Sequence, residues 1–282
     1  VAGRGSESAR WEEGGIRFLK GVDPASSTRE DLIWIPCGTC IGCRLMKGRF
    51  WALRNFLELA DCPGESYFLT LTYDPDHVPV TLSRRHLSDF LKRIRWHAGA
   101  LRFFASGEYG DKRGRPHYHM LVYLSSSIPR HLPSFRSRVA DSWRNGYVQF
   151  GSVTPERVAY CSGYTTKKAS CFSEPKGERL DVVTGELYDY QPPFLQMSRR
   201  PGIGGAARRF VSSWRDHAVM NGQPTAVPRY LHQAWRDLAS ADDLLKLEAE
   251  RAALQRPSRA QLNAGAAIAE ARLKLSSAGR VL

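Results

Sequence analysis

The most regular patterning of apolar and polar positions runs from residue 66 to about residue 168. SYFLTLTY (66–73) is rich in aromatic and β-branched residues and partly alternates, which predicts a strand. Within 83–98, Leu87, Phe90, Leu91 and Ile94 recur at helical spacing behind Ser83, a suitable N-cap. LRFFASGEY (101–109) and HYHMLVYL (117–124) read as strands joined by the turn-rich GDKRGRP (110–116). A second helix is expected in 129–145, carrying Trp143 and closed by Asn145-Gly146, and YVQFGSV (147–153) follows as a strand. Thr154-Pro155-Glu156 sets a capping hydroxyl, a proline and a carboxylate where a third helix starts, reaching about Lys168. The order β-α-β-β-α-β-α suits a mostly antiparallel sheet with helices packed mainly on one face, an α+β, ferredoxin-like plan.

The flanks are less periodic. Residues 1–30 are polar and Gly-rich, with a weak strand signal around Ile16–Val22. Residues 43–60 predict a helix with Leu45, Phe50, Leu53, Phe56 and Leu57 near helical spacing, broken by Pro63-Gly64. Residues 174–200 are polar and Pro-rich and read as an insertion or long loop, and 198–209 is Gly- and Arg-rich without periodicity. Beyond Pro228 the composition turns helical, with Pro257 as a break. The expected organisation is an N-terminal extension (1–64), a central domain (65–235) containing the insertion 174–200, and a helical tail (236–282).

Charge narrows the partner class. Forty-one Lys and Arg against 28 Asp and Glu leave +13 over 282 residues, a surplus that favours a polyanion such as nucleic acid. No apolar run reaches the ~18 residues of a membrane span. The opening VAGRGSESARWEEGG lacks the apolar core of an export signal, so a reducing cytoplasm is expected. The cysteines agree, because three of six cluster as Cys37, Cys40 and Cys43 instead of spreading into a disulfide framework. Two-residue spacing lets thiolates converge on one zinc ion, with Cys62, His77 or His86 as candidates for a fourth ligand. The alternative is a Gly/Cys turn with reduced thiols ahead of a helix.

The chemical centre is His117-Tyr118-His119. Residues two apart on a strand share a face, so both imidazoles point one way, about 7 Å apart along the strand. A hairpin across 110–115 brings Glu108 beside His117 as a third, oxygen ligand. Two histidines and one carboxylate leave positions open on a divalent ion, which acts as a Lewis acid on a phosphate. On the third helix, Tyr160, Tyr164 and Lys167 sit at i, i+4 and i+7, on one face. A phenolate is a competent nucleophile at phosphorus once its charge is compensated. Read alone, each feature has a plainer alternative: half-exposed strand histidines, and aromatics on an amphipathic helix.

Together these segments resemble the HUH endonucleases, the rolling-circle replication initiators and relaxases. FLTLTY (68–73) resembles their first motif, His117-Tyr118-His119 their metal-binding second, and Tyr164-Thr-Thr-Lys167 their third. The chain is more closely similar to the replication initiators of the Microviridae, of gokushovirus type, in PCGTCIGCR (36–44), FASGEYGDKRGRPHYHMLVY (104–123), the double-tyrosine helix and MSRRPGIG (197–204). The resemblance implies an HUH-type sheet. It also implies a Mg²⁺- or Mn²⁺-dependent nickase that cuts single-stranded DNA at the viral origin through a 5′-phosphotyrosine and rejoins the ends. It implies host replication proteins as partners and the cytoplasm of a bacterial host as the location. Tyr160 is followed at the motif's lysine offset by Gly163, which ranks Tyr164 ahead of it.

Lys112, Arg113, Arg115, Lys168, Arg199 and Arg200 lie in or near these segments and are the candidate DNA contacts, with Trp96 or Tyr109 as surfaces for base stacking. Arg93, Arg208 and Arg209 fall nearby as well. The competing reading is a non-catalytic RRM-like sheet that binds single-stranded nucleic acid without cutting it.

Overall fold

The computed structural model describes residues 7–12, 15–19, 32–36, 38, 40–110, 114–125, 134–167, 177–181, 184–220, 222–254 and 257–278. Strands β1 (Glu7–Glu12), β2 (Gly15–Leu19) and β3 (Leu32–Ile35) form a small antiparallel sheet of order β2-β1-β3. Only the β2 stretch was legible in the sequence, because ESARWE is polar and LIWI is too short to show a period. Helix α1 (Ile41–Ala60) follows, then β4 (Ser66–Tyr73), α2 (Arg84–Ala98), β5 (Leu101–Tyr109), β6 (Pro116–Leu124), α3 (Phe135–Ser142), β7 (Gly146–Ser152) and α4 (Pro155–Lys167). The predicted caps close as expected: His86 N donates to Ser83 Oγ (3.2 Å) and Arg157 N to Thr154 Oγ1 (3.3 Å).

Residues 174–200 hold more structure than a loop. Strands β8 (Gly177–Leu180) and β9 (Leu187–Tyr190) make a hairpin, and β10 (Phe194–Met197) joins the main sheet at the edge of β5. The main sheet has the order β10-β5-β6-β4-β7, with every pair antiparallel. Its β4-α2-β5-β6-α3-β7 portion is the ferredoxin-like arrangement, with the two central strands, β6 and β4, donated by separate halves.

Strand alternation divides the sheet into two packed faces. Leu69, Leu71, Phe103, Ala105, Tyr118, Met120 and Val122 bury one face under Leu87, Phe90, Leu91 and Ile94 of α2 and Phe135 and Val139 of α3. Phe68, Phe104, Leu121 and Tyr123 bury the other under Ala52 of α1 and Val158 and Cys161 of α4. The expectation of helices mainly on one face therefore holds for the two crossover helices and not for α1 and α4. The buried stripe of α1 explains why: it includes Arg44, Gly48, Asn55 and Glu58, polar or small residues that an apolar-periodicity reading passes over.

Those polar groups are paired across the layer. Arg102 of β5 forms an ion pair with Glu58, and Arg102 Nη2 also donates to Gly202 O (3.1 Å). Glu58 Oε2 accepts from Gly204 N (2.7 Å), and Arg54 Nε donates to Ile203 O (2.8 Å). The aperiodic PGIG stretch is thus clamped between α1 and β5. Gly204 is required there, since its φ is +70° and a Cβ would meet Arg54 O at 2.8 Å. Beyond it, β11 (His217–Met220) and β12 (Gln223–Ala226) pair as a hairpin ahead of α5 (Arg229–Arg236), α6 (Ala241–Ala253) and α7 (Arg259–Ala278). Ala207, Trp214, Leu231, Trp235 and Leu247 form a third core. No described helix is long and apolar enough to cross a membrane.

Candidate metal centre and tyrosine helix

Register builds the centre. Glu108 of β5 lies directly opposite His117 of β6, and His119 lies opposite both Ser106 of β5 and Thr70 of β4. All of these side chains occupy the α1/α4 face. Nε2 of His117 and Nε2 of His119 each stand 2.8 Å from Glu108 Oε1, and the two rings are 5.0 Å apart at 88°. The three ligand atoms lie within 4.8 Å of one another, so Glu108, His117 and His119 could hold a metal. The spacing fits one ion: at metal–ligand distances of about 2.1 Å, neighbouring ligands of an octahedron stand about 3 Å apart.

The second nitrogen of each ring is committed elsewhere. His117 Nδ1 meets the Arg115 carbonyl (3.1 Å), and His119 Nδ1 meets Thr70 Oγ1 (3.0 Å). A carbonyl only accepts, so His117 carries its proton on Nδ1 and turns the Nε2 lone pair toward the centre. Burial alone would raise the Glu108 carboxyl, but hydrogen bonds from His117 and His119 outweigh it and hold the group below its ordinary value. Glu108 is thereby kept as a carboxylate, the form that ligates. Sequence reasoning found the three ligands and missed Thr70. Its signal was available in the register, since Thr70 and Thr72 of FLTLTY share the face of the two histidines.

Helix α4 covers this face. Its Cys161 is buried, with Sγ 3.7 Å from His119 O and 4.0 Å from Phe104 O, and burial pushes the thiol up to about 12. That contact seats the preceding residue over the centre: the Tyr160 ring lies 5.2 Å from the His119 ring at 80°. Phe68 completes the group, stacked on His119 (5.6 Å, 17°) with the Arg157 guanidinium 5.6 Å from its ring. Tyr164 and Lys167 continue α4 by one and two turns, but their side chains lie outside the described residues.

The other expected contacts separate. Arg115 is exposed and donates from Nη2 to Tyr73 O (3.0 Å) beside the centre. Arg199 and Arg200 are exposed just past β10. Lys112, Arg113 and Lys168 lie outside the described residues, as does Cys37. Arg93 donates to Ser142 O (2.7 Å), while Arg208 and Arg209 pair with Asp237 and Asp61, so these three serve the fold. Trp96 is exposed, as stacking requires, but Tyr109 is not available: its hydroxyl binds Leu82 N, Thr81 and Gln191 O, and its ring stacks on Tyr190 at 5.4 Å.

Of the cysteine cluster, Cys40 caps α1 by accepting from Cys43 N (3.5 Å). The fourth ligands suggested by sequence do not fit. Cys62 follows the far end of α1, whose 20 residues span about 30 Å. His77 binds Asp74 (2.7 Å), and His86 binds the Tyr73 hydroxyl (2.8 Å) on the opposite face of the sheet.

Comparison with known proteins agrees with this arrangement. A model of the family described as Replication-associated protein ORF2 matches residues 66–169, which run from β4 past the end of α4. The chain is 32% identical over 217 residues to Replication-associated protein ORF2 of Spiroplasma virus 4, covering 70% of this chain and 64% of that protein. It is 29% identical to Replication-associated protein VP4 of Bdellovibrio phage phiMH2K (71% and 66%) and 28% identical to Replication-associated protein ORF4 of Chlamydia phage 1 (74% and 55%). The chain therefore spans less than two thirds of the length of each relative. No solved structure matches. The strand pair that carries the metal triad and the helix that lies over it fall inside the matched segment, and the chain belongs to the ORF2 family of phage replication-associated proteins, homologous to those of the microvirids.

Proposed function

We propose that the protein is a rolling-circle initiator of the HUH type, an endonuclease that nicks single-stranded DNA at the viral origin and rejoins the ends. The observation that carries this reading is the seating of Tyr160 against His119, on a helix packed over the Glu108–His117–His119 triad. A mixed nitrogen and carboxylate donor set suits Mg²⁺ or Mn²⁺. When bound there, such an ion would polarise the scissile phosphate and draw charge from its oxygens.

The chain's own residues supply the rest. A tyrosine of α4 gives up its phenolic proton and its oxygen attacks phosphorus. The P–O bond to the 3′ oxygen breaks, leaving a free 3′ hydroxyl and a 5′-phosphotyrosine. Two tyrosines one helical turn apart permit a second attack on the regenerated junction, after which the freed 3′ hydroxyl displaces the first tyrosine and closes the circle. Tyr164, with Lys167 at the motif spacing, takes the first cut in this scheme, and Tyr160 the second. Lys112, Arg113, Arg115, Lys168, Arg199 and Arg200 are proposed to neutralise DNA phosphates. Host replication proteins acting on the 3′ hydroxyl, and the host cytoplasm as the setting, belong to the same proposal.

The test is a denaturing gel with a labelled single-stranded oligonucleotide carrying the origin. Wild-type protein with Mn²⁺ is expected to give a covalent adduct, and EDTA to abolish it. Tyr164→Phe should reduce the adduct and a Tyr160→Phe, Tyr164→Phe protein should form none. An adduct that survives in the double variant overturns the tyrosine roles. Salt-sensitive binding with no adduct from wild type would instead favour the non-catalytic binder.

A further inference from the structure

PCGTCIGCR, the segment that opens α1, is only partly accounted for by the cap at Cys40. Its last residue, Arg44, is unusual. It is 9% exposed, and its Nε and Nη1 atoms are buried without a hydrogen-bond partner among the described residues. An arginine cannot shed its proton, so these donors call for an anion. The other buried cation of this layer, Arg102, has Glu58.

Placement says which anion. Helix α1 runs antiparallel to β5, since Glu58 meets Arg102 while Trp51 meets Phe104 at 5.1 Å. Arg44 stands seven residues before Trp51, about 10 Å along the helix, and Glu108 stands four beyond Phe104, about 13 Å along the strand, in the same direction. Arg44 thus lies at the level of the metal centre. Its stripe, which includes Asn55 beside Ser162 (3.4 Å), faces α4, whose later turns carry Tyr164 and Lys167. Helical side chains lean toward the N-terminus, so the guanidinium also leans toward the positive end of α1.

We propose that Arg44 is a phosphate-binding residue, its buried guanidinium receiving a backbone phosphate of the DNA strand held between α1 and α4. This rests on the nickase reading and adds a contact to it. The guanidinium is buried before DNA arrives, which makes it a prepared socket and not a surface contact.

The full chain is compared with Arg44→Met and Arg44→Lys. With no divalent ion added, millimolar inorganic phosphate should raise the wild-type melting temperature and leave Arg44→Met unmoved, with Arg44→Lys between them. Binding of a fluorescein-labelled single-stranded origin oligonucleotide should weaken about tenfold in Arg44→Met, with a salt slope shallower by about 0.7. Arg44→Met should melt no lower than wild type, because it removes a buried charge that has no partner. Equal phosphate shifts and equal salt slopes in wild type and Arg44→Met overturn the proposal. So does loss of bound zinc together with a lower melting point in Arg44→Met, which would make a thiolate-held metal the partner. Wild-type protein that takes phosphate but not the oligonucleotide would overturn the nickase reading while leaving the anion socket standing.

Discussion

Thr70 makes a residue-scale point about ligands. Its hydroxyl holds His119 by the nitrogen that faces away from the centre, so it acts on metal affinity without touching the ion. Thr70→Val keeps the strand and the shape but removes that partner. The expected result is Mn²⁺ binding weakened by about 10-fold to 100-fold in calorimetric titration, with Thr70→Ser close to wild type. Cys161 offers a second check. A thiol pushed up to about 12 inside the sheet–helix layer should resist iodoacetamide at pH 8 in the folded protein and react once denaturant opens it. Alkylation of Cys161 at the rate of a small-molecule thiol would contradict its placement beneath α4.

At the scale of elements, the docking of α1 on the sheet depends on a polar clamp. Glu58→Ala leaves Arg102 and the Gly204 amide without their acceptor, and should cost about 3 kcal/mol in urea unfolding, as for other broken buried pairs. The C-terminal elements respond to acid instead. Asp243 completes the capping box at the start of α6, and the Ser240 hydroxyl beside it holds its carboxyl below the ordinary value of 3.8. A depressed carboxylate contributes fully above its unfolded value and loses that contribution as pH falls through the lowered one. Asp243→Asn should therefore remove part of the stability difference between pH 6 and pH 3 in thermal melts. These contrasts also mark what could be read from sequence. Elements with apolar periods or clear caps, such as α2, β4 and α4, were legible. The strand β10 was not, because its four residues follow Pro192-Pro193 in a polar stretch and pair only through tertiary context. The buried face of α1 was hidden for another reason: its defining residues are an arginine, an asparagine and a glutamate. In the site, spacing revealed Glu108, His117 and His119, whereas Thr70 and Arg44 needed the register of one strand and the direction of one helix.

For the whole molecule, charge and layering act together. A net +13 is expected to make single-stranded DNA affinity fall steeply with salt, with a log–log slope near 0.7 per phosphate contacted, measurable by anisotropy. A flat salt response would remove the polyanion argument. The two packed faces have a further consequence, carried by the three residues at the start of β6. His117 and His119 turn to one side, while Tyr118 between them turns to the other and ties its hydroxyl to Tyr73 (2.8 Å) and to the backbone of Ser83 (3.0 Å and 2.8 Å). One added or deleted residue within this strand would exchange the tenants of the two storeys, sending an imidazole into the oily floor and a phenol into the workshop. The connection at 110–115 can change length without that penalty, so variation in this part of the chain should accumulate in the bend and leave the spelling of the strand alone.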